Sequence, residues 1–177
     1  MNGLEQIIFS VFRLSRRQRL RKIIKPSTST CKFTDVFKGF EKVEAVKRIF
    51  GEDTEQVLSN LKIDLMHFGG GYMGVDDVTG HLLVNPRYLN SGDKVDIYLD
   101  VIHELYHVKQ FMDGRELFDN RYDYVDRPTE IEAYRYTVQE AKRLGLSEDR
   151  ICCYLKTDWI TEDELKRLAK AVDVSYC

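Results

Sequence analysis

The spacing of apolar and polar residues predicts a long helix over residues 95–112. No proline or glycine interrupts this run, Ser91 or Asp93 is placed to cap its start, and Gly114 follows its end. At about 100° per residue, the helix has an apolar face that must pack against a core and an opposite polar face. The apolar face carries Ile97, Tyr98, Val101, Leu105, Val108 and Met112, and the polar face carries Asp96, Asp100, His103, His107 and Gln110. Solvated faces usually carry lysine and glutamate, so this polar face calls for another explanation.

A second helix is predicted over residues 128–144. Pro128 suits the first turn of a helix, no breaker follows it, and Gly145 ends the run. On a helical wheel Glu130 shares its side with small and apolar residues, whereas Glu132 shares a face with charged residues. The residues on the side of Glu130 are Ala133, Tyr134, Thr137, Val138, Ala141 and Leu144. We therefore expect Glu130 to face the packed side of the helix and Glu132 to face solvent.

Short strands are predicted upstream of these helices. Residues 61–68 alternate in polarity as a half-buried strand does, and residues 72–75 and 81–85 are joined by a polar turn into a hairpin. Further helices are expected at 35–50, 53–61, 147–156 and 161–172. The predicted fold class is α+β, with a small mixed or antiparallel sheet packed on the helix at 95–112 and a mostly helical C-terminal part. Trp159 is expected in the core.

Composition indicates one compact domain with a separate N-terminal element. A chain of 177 residues with 43% hydrophobic content supports a single core, assigned to residues 31–177. Residues 1–25 hold seven basic residues against Glu5, and their apolar residues keep helical spacing. This pattern predicts a basic amphipathic helix, followed by a linker that ends at residue 30. The helix is a poor secretory signal because Glu5 interrupts its apolar stretch, and it is too short to span a bilayer.

Three roles are open for the N-terminal helix. It packs on the domain, it lies on an anionic membrane surface through residues 1–25, or it contacts nucleic acid or another acidic partner or covers the cleft as a removable segment. Packing on the domain is the favoured role, and nucleic acid is not expected as a partner.

The cysteines carry no recognisable metal or redox spacing. They are Cys31, Cys152, Cys153 and Cys177, and no CxxC is present. We expect reduced thiols in a cytoplasmic protein.

Five consecutive residues of the first helix, from His103 to His107, read HExxH. Because a turn takes about 3.6 residues, the two imidazoles lie one above the other and reach one metal ion. Glu104 lies about 100° around the helix, where it reaches a water molecule carried by the metal. The pattern predicts a Zn²⁺ site at which Glu104 accepts the proton of the water molecule that attacks in a hydrolysis.

A catalytic zinc ion normally takes three protein ligands, so a third ligand is needed. No cysteine lies near the motif, and His67 and His81 stand in strand-like surroundings where structural roles are expected. A carboxylate is therefore the expected ligand. Glu130 is favoured because its helix face carries small residues that allow close approach to the motif helix, and Glu132 is the alternative.

HExxH followed by Glu-x-x-Ala on a second helix resembles the gluzincins, the zinc peptidases that include thermolysin and the prenyl-protein endopeptidases. The short interval from His107 to Glu130 is similar to that of their smallest members, the minigluzincins, and the matched region runs from about residue 61 to residue 144. The resemblance implies a zincin-like fold and zinc held by His103, His107 and Glu130. It also implies that Glu104 is the general base and acid.

The resemblance further implies where a substrate lies. In gluzincins the strand just before the motif helix is a sheet edge that pairs with an extended substrate. This assigns main-chain contacts with a peptide to residues 81–85, among them His81, Leu83 and Asn85.

One position departs from the gluzincin pattern. Many gluzincins have an aspartate four residues after the ligand glutamate, where it orients a ligand histidine, and this chain has Tyr134 there. Asp96 or Asp100 is a candidate for accepting the second N–H of a ligand histidine instead. Alternatively, Tyr134 points its hydroxyl at the substrate and stabilises the oxyanion. The same role is open to Tyr122, Tyr124 and Arg127.

The function expected from these residues is zinc-dependent hydrolysis of peptide bonds, with a peptide or protein as substrate. A zinc-bearing binding or regulatory module with weak or no proteolysis is the alternative, and an amidase acting on a non-peptide substrate is a third. Glu104 favours an enzyme, because a purely structural zinc has no need of a base. Neither cleavage specificity nor oligomeric state follows from the sequence.

Overall fold

The structure, a computed structural model, describes residues 29–67 and 72–176. These residues form an α+β fold, which confirms the predicted class. The strands are β1 (Ser29–Lys32), β2 (Lys62–Leu65), β3 (Met73–Val75) and β4 (Leu82–Val84). The helices are α1 (Phe33–Val36), α2 (Glu44–Phe50), α3 (Thr54–Asn60), α4 (Pro86–Ser91), α5 (Lys94–Met112), α6 (Pro128–Arg143), α7 (Glu148–Leu155) and α8 (Glu162–Ala171). Short 3₁₀ turns lie at Phe40–Lys42, Gly51–Asp53 and Tyr124–Asp126.

The sheet is mixed, with the strand order β1-β2-β4-β3. β1 runs antiparallel to β2, β2 runs parallel to β4, and β3 and β4 form an antiparallel hairpin. In the hairpin turn the Asp76 carboxylate accepts hydrogen bonds from the backbone N–H groups of Val78 and Thr79. Gly80 adopts a φ of 68°, in the left-handed region that favours glycine. The predicted hairpin before the long helix is therefore confirmed.

β4 is not the edge strand that the gluzincin resemblance implied. It is hydrogen-bonded to β2 on one side and to β3 on the other, and Leu82 and Val84 are fully buried. A strand that runs parallel to its neighbour and buries its side chains this way belongs in the sheet interior. The expectation that residues 81–85 form an edge is wrong. The terminal strand next to α5 is β3.

α5 forms the centre of the fold. Asp93 caps it as predicted, because its carboxylate accepts hydrogen bonds from the N–H groups of Val95 and Asp96. Its apolar face is buried except for Met112, which lies in the last turn and is 55% exposed. The helix also buries four polar side chains, those of His103, Glu104, His107 and Gln110. Burying polar groups is costly unless they are paired, so these four side chains mark the candidate site.

The helical C-terminal part follows the prediction closely. α6 starts at Pro128 and packs against α5, and α7 and α8 begin after the caps Ser147 and Thr161. Ala133 and Ala141 of α6 have no exposed surface, which lets the backbones of α5 and α6 approach each other.

The region before the sheet differs from the prediction. The helix expected over 35–50 is divided into α1, a 3₁₀ turn and α2, because Gly39 takes a φ of 85° between them. Ser29 and Thr30, expected in the linker, belong to β1 and pair with β2. The basic amphipathic helix predicted over residues 1–25 lies outside the described residues.

The cysteines differ from the expectation of reduced thiols. Cys152, buried in α7, is disulfide-bonded, so the expectation of reduced thiols is wrong at this position. Cys31 and Cys153 are free. Cysteine spacing alone does not reveal which sulfur atoms meet in the fold.

None of the described helices combines the length and the hydropathy that a bilayer crossing requires, and a cytoplasmic location stays a prediction.

Candidate metal centre

Three buried side chains from two helices converge on one point. His103 and His107 lie one turn apart on α5, and Glu130 projects from the first turn of α6. The two Nε2 atoms are 3.0 Å apart, and Glu130 Oε2 lies 3.3 Å from Nε2 of His103 and 3.4 Å from Nε2 of His107. Each of the three residues is 5% exposed. Their donor atoms could therefore contact a single ion.

The separations of these atoms fit the ligands of one zinc ion. Bonds of about 2.0–2.2 Å from zinc to nitrogen or oxygen, at tetrahedral angles, place neighbouring ligand atoms about 3.3–3.5 Å apart. The separations of 3.0, 3.3 and 3.4 Å are close to this range. Two histidines and one glutamate are also a donor set of catalytic zinc sites, in which one coordination position stays open. These residues therefore fit the metal with little rearrangement.

Glu132, the alternative third ligand, is not one of the converging residues. Its carboxylate accepts a hydrogen bond from Gln110 Nε2 at 3.0 Å and lies 3.3 Å from the guanidinium of Arg115. The wheel-based prediction that Glu130 faces the packed side of α6 is confirmed by its burial.

Gln110 fixes the orientation of His107. The Nδ1–H group of His107 donates a hydrogen bond to Gln110 Oε1, with 2.7 Å between the nitrogen and the oxygen. The amide nitrogen of Gln110 donates in turn to the carbonyl of Thr129 at 3.1 Å and to the carboxylate of Glu132. Because Nδ1 is engaged by Gln110, Nε2 is the nitrogen that faces Glu130 and that would bind a metal in its unprotonated form. Sequence reasoning gave Gln110 no role, although its place three residues after His107 on the polar face was a usable signal.

Asp96 and Asp100 do not orient a ligand histidine, so that expectation is wrong. Asp100 accepts hydrogen bonds from the hydroxyls of Tyr88 and Tyr154, and Asp96 pairs with the guanidinium of Arg150. Both aspartates lie on the expected face of α5. Side chains from α4 and α7, which a helical wheel does not represent, contact them there.

Glu104 lies beside the histidine pair with a free carboxylate oxygen. It is 8% exposed, and within the described ranges its Oε2 has no hydrogen-bond partner; the same holds for Nδ1 of His103. Burial raises the pKa of Glu104 to about 8, because the charged form loses more hydration than nearby His107 restores. A carboxyl group with a raised pKa and a free oxygen is suited to accept and return a proton.

Burial and mutual contact set the charges of the three converging residues. Burial lowers the pKa of His103 below its ordinary value. Burial acts in the same direction on His107, but the Glu130 carboxylate outweighs it and raises the pKa to about 9. For Glu130, burial favours a higher pKa, and the two imidazoles overcome this effect and hold the pKa well below its usual range. The Glu130 carboxylate is therefore ionised, as a metal ligand must be.

Two cavities of about 160 Å³ each border the site, and His103 lines both of them whereas His107 lines one. We call the first the aromatic pocket, because aromatic rings and the carboxylates of Asp96 and Asp100 form much of its wall. The second is lined by the metal-ligand candidates together with Gly74 and Val75 of β3. The residues shared by both cavities are Met73, His103, Glu104, Tyr124 and Trp159. Glu104 thus stands where the two cavities meet, as a base in a cleft would.

Tyr134 lies against the site. Its ring centroid is 4.3 Å from that of His103, and its hydroxyl is 2.9 Å from the hydroxyl of Tyr124. Burial raises the pKa of Tyr134, so its hydroxyl keeps its proton and is able to donate. Of the other oxyanion candidates, Tyr122 is 44% exposed and lines neither cavity, and Arg127 lies over the ring of Tyr124 at 5.9 Å.

The structure does not bring His81, Leu83 and Asn85 to the converging residues. His81 Nδ1 lies 2.8 Å from the Asp64 carboxylate, and Asn85 caps α4 by accepting from the N–H of Arg87. Leu83 lies in the interior strand β4. Because β4 is no edge, the premise for assigning these residues to a substrate is removed.

Trp159 belongs to the cleft and not to the core, so its expected location is wrong. The side chain is 43% exposed, and its ring centroid lies 5.2 Å from that of Tyr72 and 6.5 Å from that of Tyr124. An aromatic residue suits the rim of a pocket as well as a core, and the sequence pattern does not distinguish the two.

No protein-family model, no curated protein and no solved structure matches this chain.

Proposed function

We propose that the protein is a zinc-dependent hydrolase of zincin-like fold that cleaves peptide bonds. The observation that supports this most is the triangle of donor atoms from His103, His107 and Glu130, with edges of 3.0–3.4 Å. Beside it stands Glu104, buried and with a free carboxylate oxygen. Burial of an acid is unfavourable, and a purely structural metal site has no use for it. The resemblance of HExxH and Glu130 to the gluzincins points the same way.

Each residue of the site then has a chemical role. When bound, zinc polarises a carbonyl group and lowers the pKa of water toward neutrality. Glu104 accepts a proton from the attacking water and delivers it to the leaving amine, and its free carboxylate oxygen leaves it available for both steps. Tyr134 donates its hydroxyl toward the oxygen on which negative charge develops.

β3 supplies backbone groups that suit an extended peptide. The N–H of Asp76 donates to the carbonyl of His81, and in an antiparallel pair such bonds recur at every second residue. The N–H and C=O groups of Met73 and Val75 therefore point away from β4, toward the terminal edge of the sheet. Both residues line the cavity that contains the metal-ligand candidates. A substrate added as a further strand would pair there.

The test combines zinc content with cleavage of an unfolded protein substrate. Wild type is expected to hold one zinc ion per chain and to lose cleavage on chelation. Glu104→Gln is expected to keep its zinc and to lose about 10²–10⁴-fold in turnover, the usual contribution of a general acid–base group. Glu130→Ala is expected to lose the metal. Glu55→Gln, an exposed helical position, is the matched control and keeps both properties.

Three results separate this function from the others. Wild type without stoichiometric metal, or Glu130→Ala with near-normal zinc, contradicts the metal site. Stoichiometric zinc without any cleavage by wild type favours a binding or regulatory module. Cleavage restricted to small amides, in a panel that also contains peptides, favours an amidase.

A further inference from the structure

The wall of the aromatic pocket is a continuous row of five rings. Tyr88 stacks on Tyr72 with centroids 4.5 Å apart, and Tyr72 lies 5.2 Å from Trp159. Trp159 lies 6.5 Å from Tyr124, which lies 6.4 Å from Tyr134. These rings come from five separate segments of the chain, and all of them line the pocket. The row ends beside the histidine pair, because Tyr134 packs on the ring of His103.

Asp96 and Asp100 add acidic groups to the wall of the pocket. The Asp100 carboxylate is held by the hydroxyls of Tyr88 and Tyr154, and in the described part of the chain no basic group lies within ion-pair distance of it. Its neighbour Asp96 pairs with Arg150. Asp100 is therefore fixed in position and has no cationic partner among these residues.

The remaining charges along the pocket do not cancel this acidity. Lys156 lines the pocket, but its side chain is 60% exposed and its ammonium lies 3.5 Å from the carboxylate of Glu162. Asp158 accepts a hydrogen bond from the hydroxyl of Tyr72, which adds a further carboxylate at the rim. Glu104 lies at the end nearest the histidines.

We propose that the aromatic pocket binds the positively charged side chain of a lysine or arginine that lies next to the scissile bond of the substrate. The proposal rests on the hydrolase function above, since His103 and Glu104 border the same pocket. A cation is attracted by the faces of aromatic rings and by a fixed carboxylate such as that of Asp100.

Other side chains fit the pocket less well. An apolar side chain would bury the Asp100 carboxylate without a charged partner, which is costly, and an acidic one would meet Asp100 and Glu104. A cavity of about 160 Å³ accommodates one long side chain and excludes a bulky ligand.

Trp159, the only tryptophan of the chain, makes binding measurable without catalysis. Its fluorescence is recorded while the zinc-loaded protein is titrated with Nα-acetyl amides of lysine, arginine, norleucine and glutamate. The titration is done at pH 8, because burial raises the pKa of Asp100 to about 7. Saturable binding is expected for the lysine and arginine compounds, and binding weaker by about 10-fold or more for norleucine, which has the shape of lysine without its charge. Equal binding of norleucine would overturn the proposal.

Asp100→Asn tests the source of the discrimination. It removes the charge and keeps one oxygen acceptor, so one tyrosine hydroxyl still donates to it while the other accepts from the new amide NH2. It is expected to weaken lysine and arginine binding by about 10–100-fold relative to norleucine. The control is Asp113→Asn, the same change at the C-terminal end of α5, where Asp113 pairs with Lys109. It is expected to leave the ratio of lysine and arginine binding to norleucine binding unchanged. An unchanged ratio in Asp100→Asn would assign the selectivity elsewhere and contradict the proposal.

Cleavage of fluorogenic peptides, with and without an acetyl group on the N-terminal amine, completes the test. Peptides carrying lysine or arginine beside the scissile bond are expected to show a higher kcat/KM than norleucine peptides, and Trp159→Leu, at an exposed rim position, is expected to reduce this preference. A preference found only with a free N-terminal amine would show that the pocket binds that amine, and would overturn the side-chain assignment. If the protein holds zinc and cleaves peptides but does not discriminate between charged and neutral side chains, the assignment of the pocket is refuted and the hydrolase function stands.

If the protein binds lysine and arginine selectively but neither holds zinc nor cleaves peptides, the hydrolase function is refuted and the cation site stands.

Discussion

Replacing Gln110 by methionine tests how the candidate metal centre is held in place. Methionine has a similar length and fills the same space, but it removes the acceptor of the His107 N–H and both donors to Thr129 and Glu132. His103, Glu104 and Glu130 are not touched by the change.

The expected loss is large for a residue that contacts no metal. Groups that orient ligand histidines typically contribute about 10–100-fold to metal affinity, which corresponds to about 1.4–2.8 kcal/mol. Gln110 is only 3% exposed, so water is a poor substitute for it. A buried imidazole N–H left without an acceptor costs about 1–3 kcal/mol, which agrees with the same range. We therefore expect zinc affinity to fall toward the 100-fold end.

Zinc affinity is measured by competition with a chromophoric chelator, and urea unfolding of the chelated protein reports whether the fold survives. Gln139→Met, at an exposed position of α6, is the matched control and should bind zinc as wild type does. Gln110→Glu keeps an acceptor for His107 and is expected to lose less affinity than Gln110→Met. A folded Gln110→Met protein with wild-type zinc affinity would refute the proposed orientation of His107.

Three further predictions follow from the structure. Tyr134→Phe is expected to lower kcat by about 10²–10³-fold with zinc content unchanged, because it removes one donor to the developing oxyanion. Gly80→Ala is expected to lower the free energy of unfolding in urea by more than Gly114→Ala, because both positions have a positive φ but only an added Cβ at Gly80 meets the Phe111 ring, at 2.5 Å. Asp100→Asn is expected to change the pH dependence of stability. Burial raises the pKa of Asp100 from 3.8 to about 7, so wild type loses stability relative to the variant as the pH rises between these values.

Each of these predictions has a result that contradicts it. Tyr122→Phe, at an exposed tyrosine, serves as the control for Tyr134→Phe, and equal kcat values in the two variants would exclude the oxyanion role. Equal destabilisation at Gly80 and Gly114 would show that the Phe111 ring moves aside. Parallel stability curves for wild type and Asp100→Asn from pH 4 to pH 8 would show that the folded state does not hold the extra proton.

The sequence predicts best what a single helix determines by itself. The positions of His103, Glu104 and His107 relative to one another follow from helical periodicity, which packing changes little. The burial of Glu130 is predicted for the same reason, since none of the other residues on its side of the helix is charged. The distance between Glu130 and the histidines is not a property of either helix. It was inferred from the need for a third ligand.

Contacts between distant segments could not be predicted. Glu132 and Gln110 are 22 residues apart and meet only because α6 packs on α5. Tyr72 stacks on Tyr88 and contacts Trp159, and nothing in the local pattern brings these rings together. The order of β3 and β4 is a similar case, because the chain reaches the outer position of the sheet before the inner one.

Tyr134 stands at a position where the sequence departs from the gluzincin pattern that it resembles, and its contacts give this departure a physical reason. The gluzincin resemblance leads one to expect an aspartate here that orients a ligand histidine by a hydrogen bond, whereas the ring of Tyr134 packs on the ring of His103 with centroids 4.3 Å apart. His103 Nδ1 has no acceptor among the described residues, whereas His107 Nδ1 is held by Gln110. The two histidines are therefore oriented by different means, one by the packing of an aromatic ring and the other by a hydrogen-bond network. Loss of the Tyr134 hydroxyl alone should accordingly leave His103 in place, since the contact that orients it is made by the ring.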